Sequence, residues 1–125
     1  MSLENVPFAK LLGIEIDSIE PGHALLSMEI KEELKRNGGI AHGGAIATLI
    51  DSAMAMAIVP LLAEGEHTTT VDLTIHYMRP LSHGTARASA RVVRAGRRII
   101  TVSAELFDEN EKLAATALST YLRLT

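Results

Sequence analysis

The stretch Gly43-Gly44-Ala45-Ile46-Ala47-Thr48-Leu49-Ile50-Asp51-Ser52-Ala53-Met54-Ala55-Met56-Ala57-Ile58-Val59-Pro60 decides the fold of this chain. From Ala45 to Val59 almost every residue is Ala, Ile, Leu or Met, so helix propensity is high and nearly every face is apolar. Such a helix is roughly 25 Å long at ~1.5 Å per residue, about the width of a small domain. Protein must wrap it on most sides, which predicts one central helix enclosed by everything else. A membrane span fits less well. Asp51 stands in mid-run, where a carboxylate costs on the order of 3 kcal/mol in lipid, and Pro60 breaks the run.

The residues on either side supply the wrapping. Val6 to Leu12 reads as a short helix stopped by Gly13, a residue suited to a C-cap. Ile14, Ile16 and Ile19 open an extended segment, Pro21-Gly22 signals a turn, and Leu26, Met28 and Ile30 alternate as the second strand of a hairpin. Lys31 to Gly39 is charged and glycine-rich, and reads as a loop. Beyond the helix the period becomes two. Val71, Leu73, Ile75 and Tyr77 fall on one face of a strand, and Thr70, Asp72, Thr74 and His76 fall on the other. Ala86 to Val93, Ile99 to Phe107 and Ala114 to Leu124 add three strands, with turns at Ala95-Gly96-Arg97 and Asp108 to Glu111. The sum is an α+β domain spanning residues 1–125, a curled antiparallel sheet around one long helix. Open sheet edges invite pairing, so at least a dimer is expected.

Composition narrows the function. Hydrophobic residues make up 47% and charged residues 22%, as in a globular domain. There is no cysteine, which removes disulfides, thiolate metal sites and cysteine nucleophiles, and fits a cytoplasmic setting. Met1 to Asn5 lacks the basic and apolar parts of a signal peptide, so none is expected. Twelve basic residues against fifteen acidic ones disfavour nucleic-acid binding. His23, His67, His76 and His83 show no metal-ligand spacing, so neither a metal nor a cofactor is expected. Met54 and Met56 read as core packing.

Asp51 is the residue that points to chemistry. A helical carboxylate most often reaches solvent or serves an internal hydrogen bond. Here the flanking residues are apolar, few faces look solvated, and an unpaired buried charge is costly. A dry carboxylate beside a cleft suits a general base or nucleophile. His42-Gly43-Gly44 precedes it at the helix start, where unpaired N–H groups and the peptide dipoles favour negative charge and glycines let a ligand approach. That combination suits an oxyanion hole, although an ordinary glycine-rich helix entry has the same composition.

At these residues the chain resembles the PaaI-like hotdog-fold thioesterases. The resemblance rests on Asn37-Gly38-Gly39-Ile40-Ala41-His42-Gly43-Gly44-Ala45-Ile46-Ala47-Thr48-Leu49-Ile50-Asp51 and on Thr70-Val71-Asp72-Leu73-Thr74-Ile75-His76-Tyr77-Met78-Arg79-Pro80. Leu12-Gly13 and Gly96-Arg97-Arg98 also match, so it covers nearly the whole chain. It implies a hotdog fold, hydrolysis of an aryl or medium-chain acyl-CoA, and a dimer or dimer of dimers with active sites at the subunit interface. It implies Asp51 as nucleophile or general base, the Gly43 amide polarising the thioester carbonyl, and His42 orienting that group. Thr70 of the second subunit would position the water. The family's upstream Asn lies six positions before the His, where this chain has Arg36, with Asn37 one residue away. Gly44 and Asn37 join the substrate-binding candidates, as do Arg79, Arg97 and Arg98 for the phosphates of coenzyme A, although Arg97-Arg98 also fits a solvated turn. Two other readings share the fold: a non-catalytic acyl-CoA-binding module, and a hydratase or dehydratase. The latter would carry a Pro-Gly pair before the helix, and no proline follows His42 there.

Overall fold

The computed structural model describes residues 3 to 125. Pro7–Leu12 forms the first helix, α1, one residue shorter than expected because Val6 is the extended cap residue. Proline suits this first turn, whose N–H would be unpaired anyway. Gly13 ends the helix at φ 75°, and its N–H returns to the carbonyls of Ala9 and Lys10. The hairpin follows as β1 (Glu15–Glu20) and β2 (His23–Glu29), turning at Gly22 with φ 81°. The charged loop is less irregular than its composition suggests. Glu32–Leu34 makes a 3-10 turn that buries Leu34, and Lys35 bridges to Ala41. Helix α2 runs from Gly43 to Ile58, two residues earlier than expected because His42 caps it, and continues as a 3-10 turn over Val59–Leu61.

Four strands follow: β3 (His67–Tyr77), β4 (Thr85–Ala95), β5 (Ile99–Phe107) and β6 (Leu113–Leu124). They complete a single antiparallel sheet in the order β1-β2-β4-β5-β6-β3. Chain order and sheet order therefore part company at β3, which crosses to the far edge beside β6 and lets β2 pair with β4. Bulges at Ile16/Ser18, Thr70/Asp72 and Val92/Arg94 interrupt the ladders, and each adds local twist to a sheet that must curl. The bulge in β3 also breaks the period-two reading of that strand. Leu73 and Ile75 are partly buried, but Val71 and Tyr77 are 57% and 54% exposed, so the expected apolar face does not form as one surface.

The helix sits against the sheet because the two surfaces differ in size. The sheet's buried positions are rich in alanine (Ala24, Ala86, Ala88, Ala90, Ala104, Ala117), while α2 presents Leu49, Ile50, Met54 and Ile58. Large side chains from one layer thus fill the space left by small ones in the other. Burial explains why Gly43–Leu61, with a mean hydropathy of 1.7, is long and apolar enough to span a bilayer by composition. The wrapping is incomplete, however. Thr48, Asp51, Ser52, Ala55 and Val59 stay partly exposed at helical spacing, an open stripe along an otherwise enclosed helix. Leu49 is 0% exposed, and Leu49→Ala is expected to destabilise the fold by about 2–5 kcal/mol. Urea unfolding at fixed protein concentration would measure it, and a cost below ~1 kcal/mol would mean a core that closes over the gap.

Candidate active site

The start of α2 is built by its cap. His42 is extended (φ −64°, ψ 134°), and its Nδ1 accepts the Gly44 N–H at 2.8 Å. That bond makes Nδ1 the acceptor of the neutral ring, which leaves the proton on Nε2 as a donor from an exposed side chain. Gly44 provides the room, since a Cβ there would stand 3.1 Å from His42 Nδ1. The next two amides, Ala45 and Ile46, both point to the His42 carbonyl at 3.0 and 3.3 Å. Among the described residues the Gly43 N–H donates to nothing, so it is the unspent donor at the positive end of the helix. Tyr77 holds the other side of this peptide by donating its hydroxyl to the Gly43 carbonyl at 2.8 Å. Burial pushes the Tyr77 phenol above its ordinary pKa, which keeps it a donor. Beside Gly43 opens a cleft of about 310 Å³, lined by Arg36, Ile46, Tyr77, Arg79 and Leu81 among others.

Asp51 lies on the open stripe, partly exposed rather than dry. The helix leaves this face uncovered, and hydroxyl groups rather than a cation hold the carboxylate. Thr70 donates to Oδ1 at 3.0 Å, and the Tyr121 hydroxyl makes a short bond to the same oxygen. None of the ion pairs among the described residues involves Asp51. The β3 bulge aims Thr70 at this point. It is fixed by Asp72, whose Oδ1 accepts the Thr120 N–H at 3.1 Å and whose carbonyl accepts the Ser119 hydroxyl. Thr70 therefore meets the carboxylate of its own chain, where the resemblance placed it against that of a second subunit.

A family model described as the thioesterase superfamily matches residues 38–115, from before the helix to the start of β6. The chain belongs to the thioesterase superfamily. A provisionally named esterase of Saccharolobus solfataricus is 33% identical over 89% of this chain and 73% of its own length. The medium/long-chain acyl-CoA thioesterase YigI of Escherichia coli is 28% identical over 98% of this chain and 88% of its own. Among solved structures, the TT0310 protein of Thermus thermophilus superposes with a TM-score of 0.86 at 31% identity, covering 94% of this chain and 97% of that one. Thioesterase HI1161 of Haemophilus influenzae reaches a TM-score of 0.91 over 100% of this chain and 92% of that one, and at 24% identity this bears on the fold alone. The helix within a curled antiparallel sheet is accordingly the hotdog fold of a thioester hydrolase.

The remaining candidates of this thioesterase-superfamily chain divide by place. Arg79 lines the cleft at Gly43, and so does Arg36, which had stood out only as a departure from the expected Asn. Asn37 is exposed in the turn closed by Gly39 N–H on the Arg36 carbonyl, with no side-chain bond among the described residues. Arg97 and Arg98 are exposed in the β4–β5 turn, beside Arg123 and the start of β3. The length of β3 separates them from Arg79, about 30 Å at ~3.3 Å per residue. The candidate arginines of one chain therefore form two groups, Arg36 and Arg79 near Gly43 and Arg97 and Arg98 beyond Asp51. No cluster of three or more potential metal ligands occurs among the described residues. Tyr121 was missed from sequence. The available signal was that Ser119 and Tyr121 continue the buried alternation of Ala115 and Ala117, two polar groups on an otherwise apolar face.

Proposed function

We propose that this chain hydrolyses acyl-CoA thioesters, with Asp51 as base or nucleophile and the Gly43 N–H stabilising the charge that develops on the carbonyl oxygen. The observation that carries this reading is one helix bearing both an unspent N–H at its positive end and a hydroxyl-braced carboxylate on its open stripe. Acyl transfer needs these two groups, one for the oxyanion and one to generate or act as the nucleophile. His42 Nε2–H orients the thioester. Thr70, whose proton is given to Asp51, offers its oxygen lone pairs to the attacking water.

Spacing supports a site that takes residues from two copies. Gly43 and Asp51 of one chain lie about 10–12 Å apart along the helix. A carbonyl held at ~3 Å from an N–H and attacked from ~3 Å spans only about 6–7 Å. The edge strand β3, 11 residues long and paired on one side alone, is the natural place for a second copy to pair. In such a dimer Asp51, with Thr70, belongs to one protomer, while His42 and Gly43 come from its partner.

Aliphatic side chains dominate the cleft beside Gly43, including Ile40, Ile46, Met78, Leu81 and Leu106. Together with the name of YigI, this supports a medium-chain acyl group ahead of an aryl one. Release of free coenzyme A from a panel of aryl and aliphatic acyl-CoAs tests the reading. Turnover is expected, best on medium chains, and tight acyl-CoA binding without turnover would leave a binding module instead. The phosphate contacts are assigned to Arg79, Arg97 and Arg98. Replacing Arg97 and Arg98 together by Ala is expected to raise KM by about 3- to 10-fold at low ionic strength with kcat little changed. An unchanged KM would make the turn an ordinary solvated hairpin.

A further inference from the structure

Tyr121 has no part in the mechanism above, yet it is the largest fully buried side chain among the described residues, 2% exposed, on the strand facing Asp51. Its hydroxyl and that of Thr70 both converge on Oδ1 of the carboxylate, and it also lies 3.0 Å from Asp51's own carbonyl oxygen. Oδ2 receives no hydrogen bond among the described residues. The two carboxylate oxygens are therefore in different surroundings, one spent on two hydroxyl donors and the other open.

We propose that Tyr121 is a positioning residue that pins Oδ1 and thereby presents Oδ2 as the reacting oxygen of Asp51, an inference that rests on the thioesterase reading. Rotation of a carboxylate about its terminal bond is soft and roughly two-fold, so a lone Asp samples many orientations. Two donors on one oxygen remove that freedom and draw negative charge towards Oδ1, while Oδ2 keeps its lone pairs for the substrate side. Among the described residues only hydroxyl groups brace this charge, those of Thr70 and Tyr121, with Ser119 nearby, so each is worth more than it would be beside a guanidinium. Burial, then the Asp51 charge, then the bond to it, hold the Tyr121 phenol far above its ordinary pKa. Tyr121 thus keeps its proton throughout the working range of pH. In base catalysis Oδ2 takes a proton from water as the water oxygen bonds to the carbonyl carbon and the carbonyl electron pair moves to oxygen. On collapse the C–S bond breaks with its electrons on sulfur, and the proton on Oδ2 passes to the coenzyme A thiolate. In nucleophilic catalysis Oδ2 itself bonds to that carbon and the C–S bond breaks with its electrons on sulfur, leaving a mixed anhydride that water cleaves to the free acid and the Asp51 carboxylate while the released proton passes to the thiolate.

The test compares wild type, Asp51→Asn, Tyr121→Phe and the double variant in coenzyme A release, with oligomer size and thermal unfolding as controls. Tyr121→Phe keeps the ring and deletes one oxygen. It is expected to lower kcat about 10- to 100-fold, as loss of a hydrogen bond to a charged group does, while KM changes less than about 3-fold. In the Asp51→Asn background the same substitution is expected to change nothing further, because the two groups act as one unit. A normal kcat in Tyr121→Phe, or equal losses in both backgrounds, overturns the positioning role. A wild type with no turnover, or with turnover indifferent to Asp51→Asn, overturns the thioesterase reading instead. Should Tyr121→Phe not fold, fluorine NMR replaces it. The chain has two tyrosines, so Tyr77→Phe protein grown on 3-fluorotyrosine carries a single label, at Tyr121. Its resonance is expected to move on adding Asp51→Asn, and an unmoved resonance overturns the contact on which the role depends.

Discussion

Asp51→Asn is expected to lower kcat for acyl-CoA hydrolysis by about a thousandfold, within the range a positioned general base contributes, and to leave the fold intact. The amide has nearly the shape of the carboxylate, and its carbonyl oxygen still accepts from Thr70 and Tyr121. What it loses is the basicity needed to take a proton from water, and the nucleophilicity needed to attack carbon. The partly exposed position means the negative charge is not required for core packing, so unfolding by heat is expected to shift little. Coenzyme A release, read beside the unfolding curve, checks both statements. Activity within a few-fold of wild type would remove Asp51 from the mechanism. In a single turnover in ¹⁸O-labelled water, label recovered in Asp51 would establish direct attack by the carboxylate.

Gly43→Pro is expected to lower kcat about 100- to 1000-fold, the loss typical of deleting one oxyanion-hole donor, with the helix still formed. Proline has no N–H, and the first helical position is the one place where its absence is tolerated. The preceding residue must be extended, and His42 already is, at ψ 134°. Gly43→Ala is the control, since its Cβ would rest 3.5 Å from the Tyr77 ring in ordinary contact and the N–H remains. A Pro variant as active as the Ala variant would show that this N–H holds no oxyanion. The pair of inactive variants also tests the shared site. Co-expressed Asp51→Asn and Gly43→Pro chains would form mixed dimers in which one of two sites takes both good residues. About a quarter of wild-type activity is then expected from random pairing. No recovery would place each complete site within a single chain.

Much of the fold was legible because the physics that makes it is local. The apolar run from Ala45 to Val59, interrupted by Asp51 and ended by Pro60, fits a core helix better than a membrane span, and Gly13 and Pro21-Gly22 are punctuation that neighbours cannot easily override. Strand β3 was legible as a strand but misread as a surface. Its alternation suggested one buried face, and the bulge at Thr70/Asp72 together with its place at the sheet edge left that face only partly buried, at Leu73 and Ile75. A bulge depends on which partner a strand meets, and here that partner is β6, some fifty residues downstream.

The candidate site divides in the same way. His42, Gly43 and Asp51 are near each other in sequence, and helix geometry alone sets their relation, so residue type and spacing sufficed to single them out. The hydroxyls of Thr70 and Tyr121, the Tyr77 bond to the Gly43 carbonyl, and the arrival of Arg36 and Arg79 in one cleft all join residues distant in the chain. Their meeting depends on sheet order and on the crossing of β3, which no local pattern encodes. The sequence by itself determined that a carboxylate would ride two turns into a buried helix whose first turn carries glycines. Only the tertiary structure decided that this carboxylate stays open to solvent on one side and is gripped by two hydroxyls on the other, because those hydroxyls come from strands that become neighbours only when β3 pairs with β6.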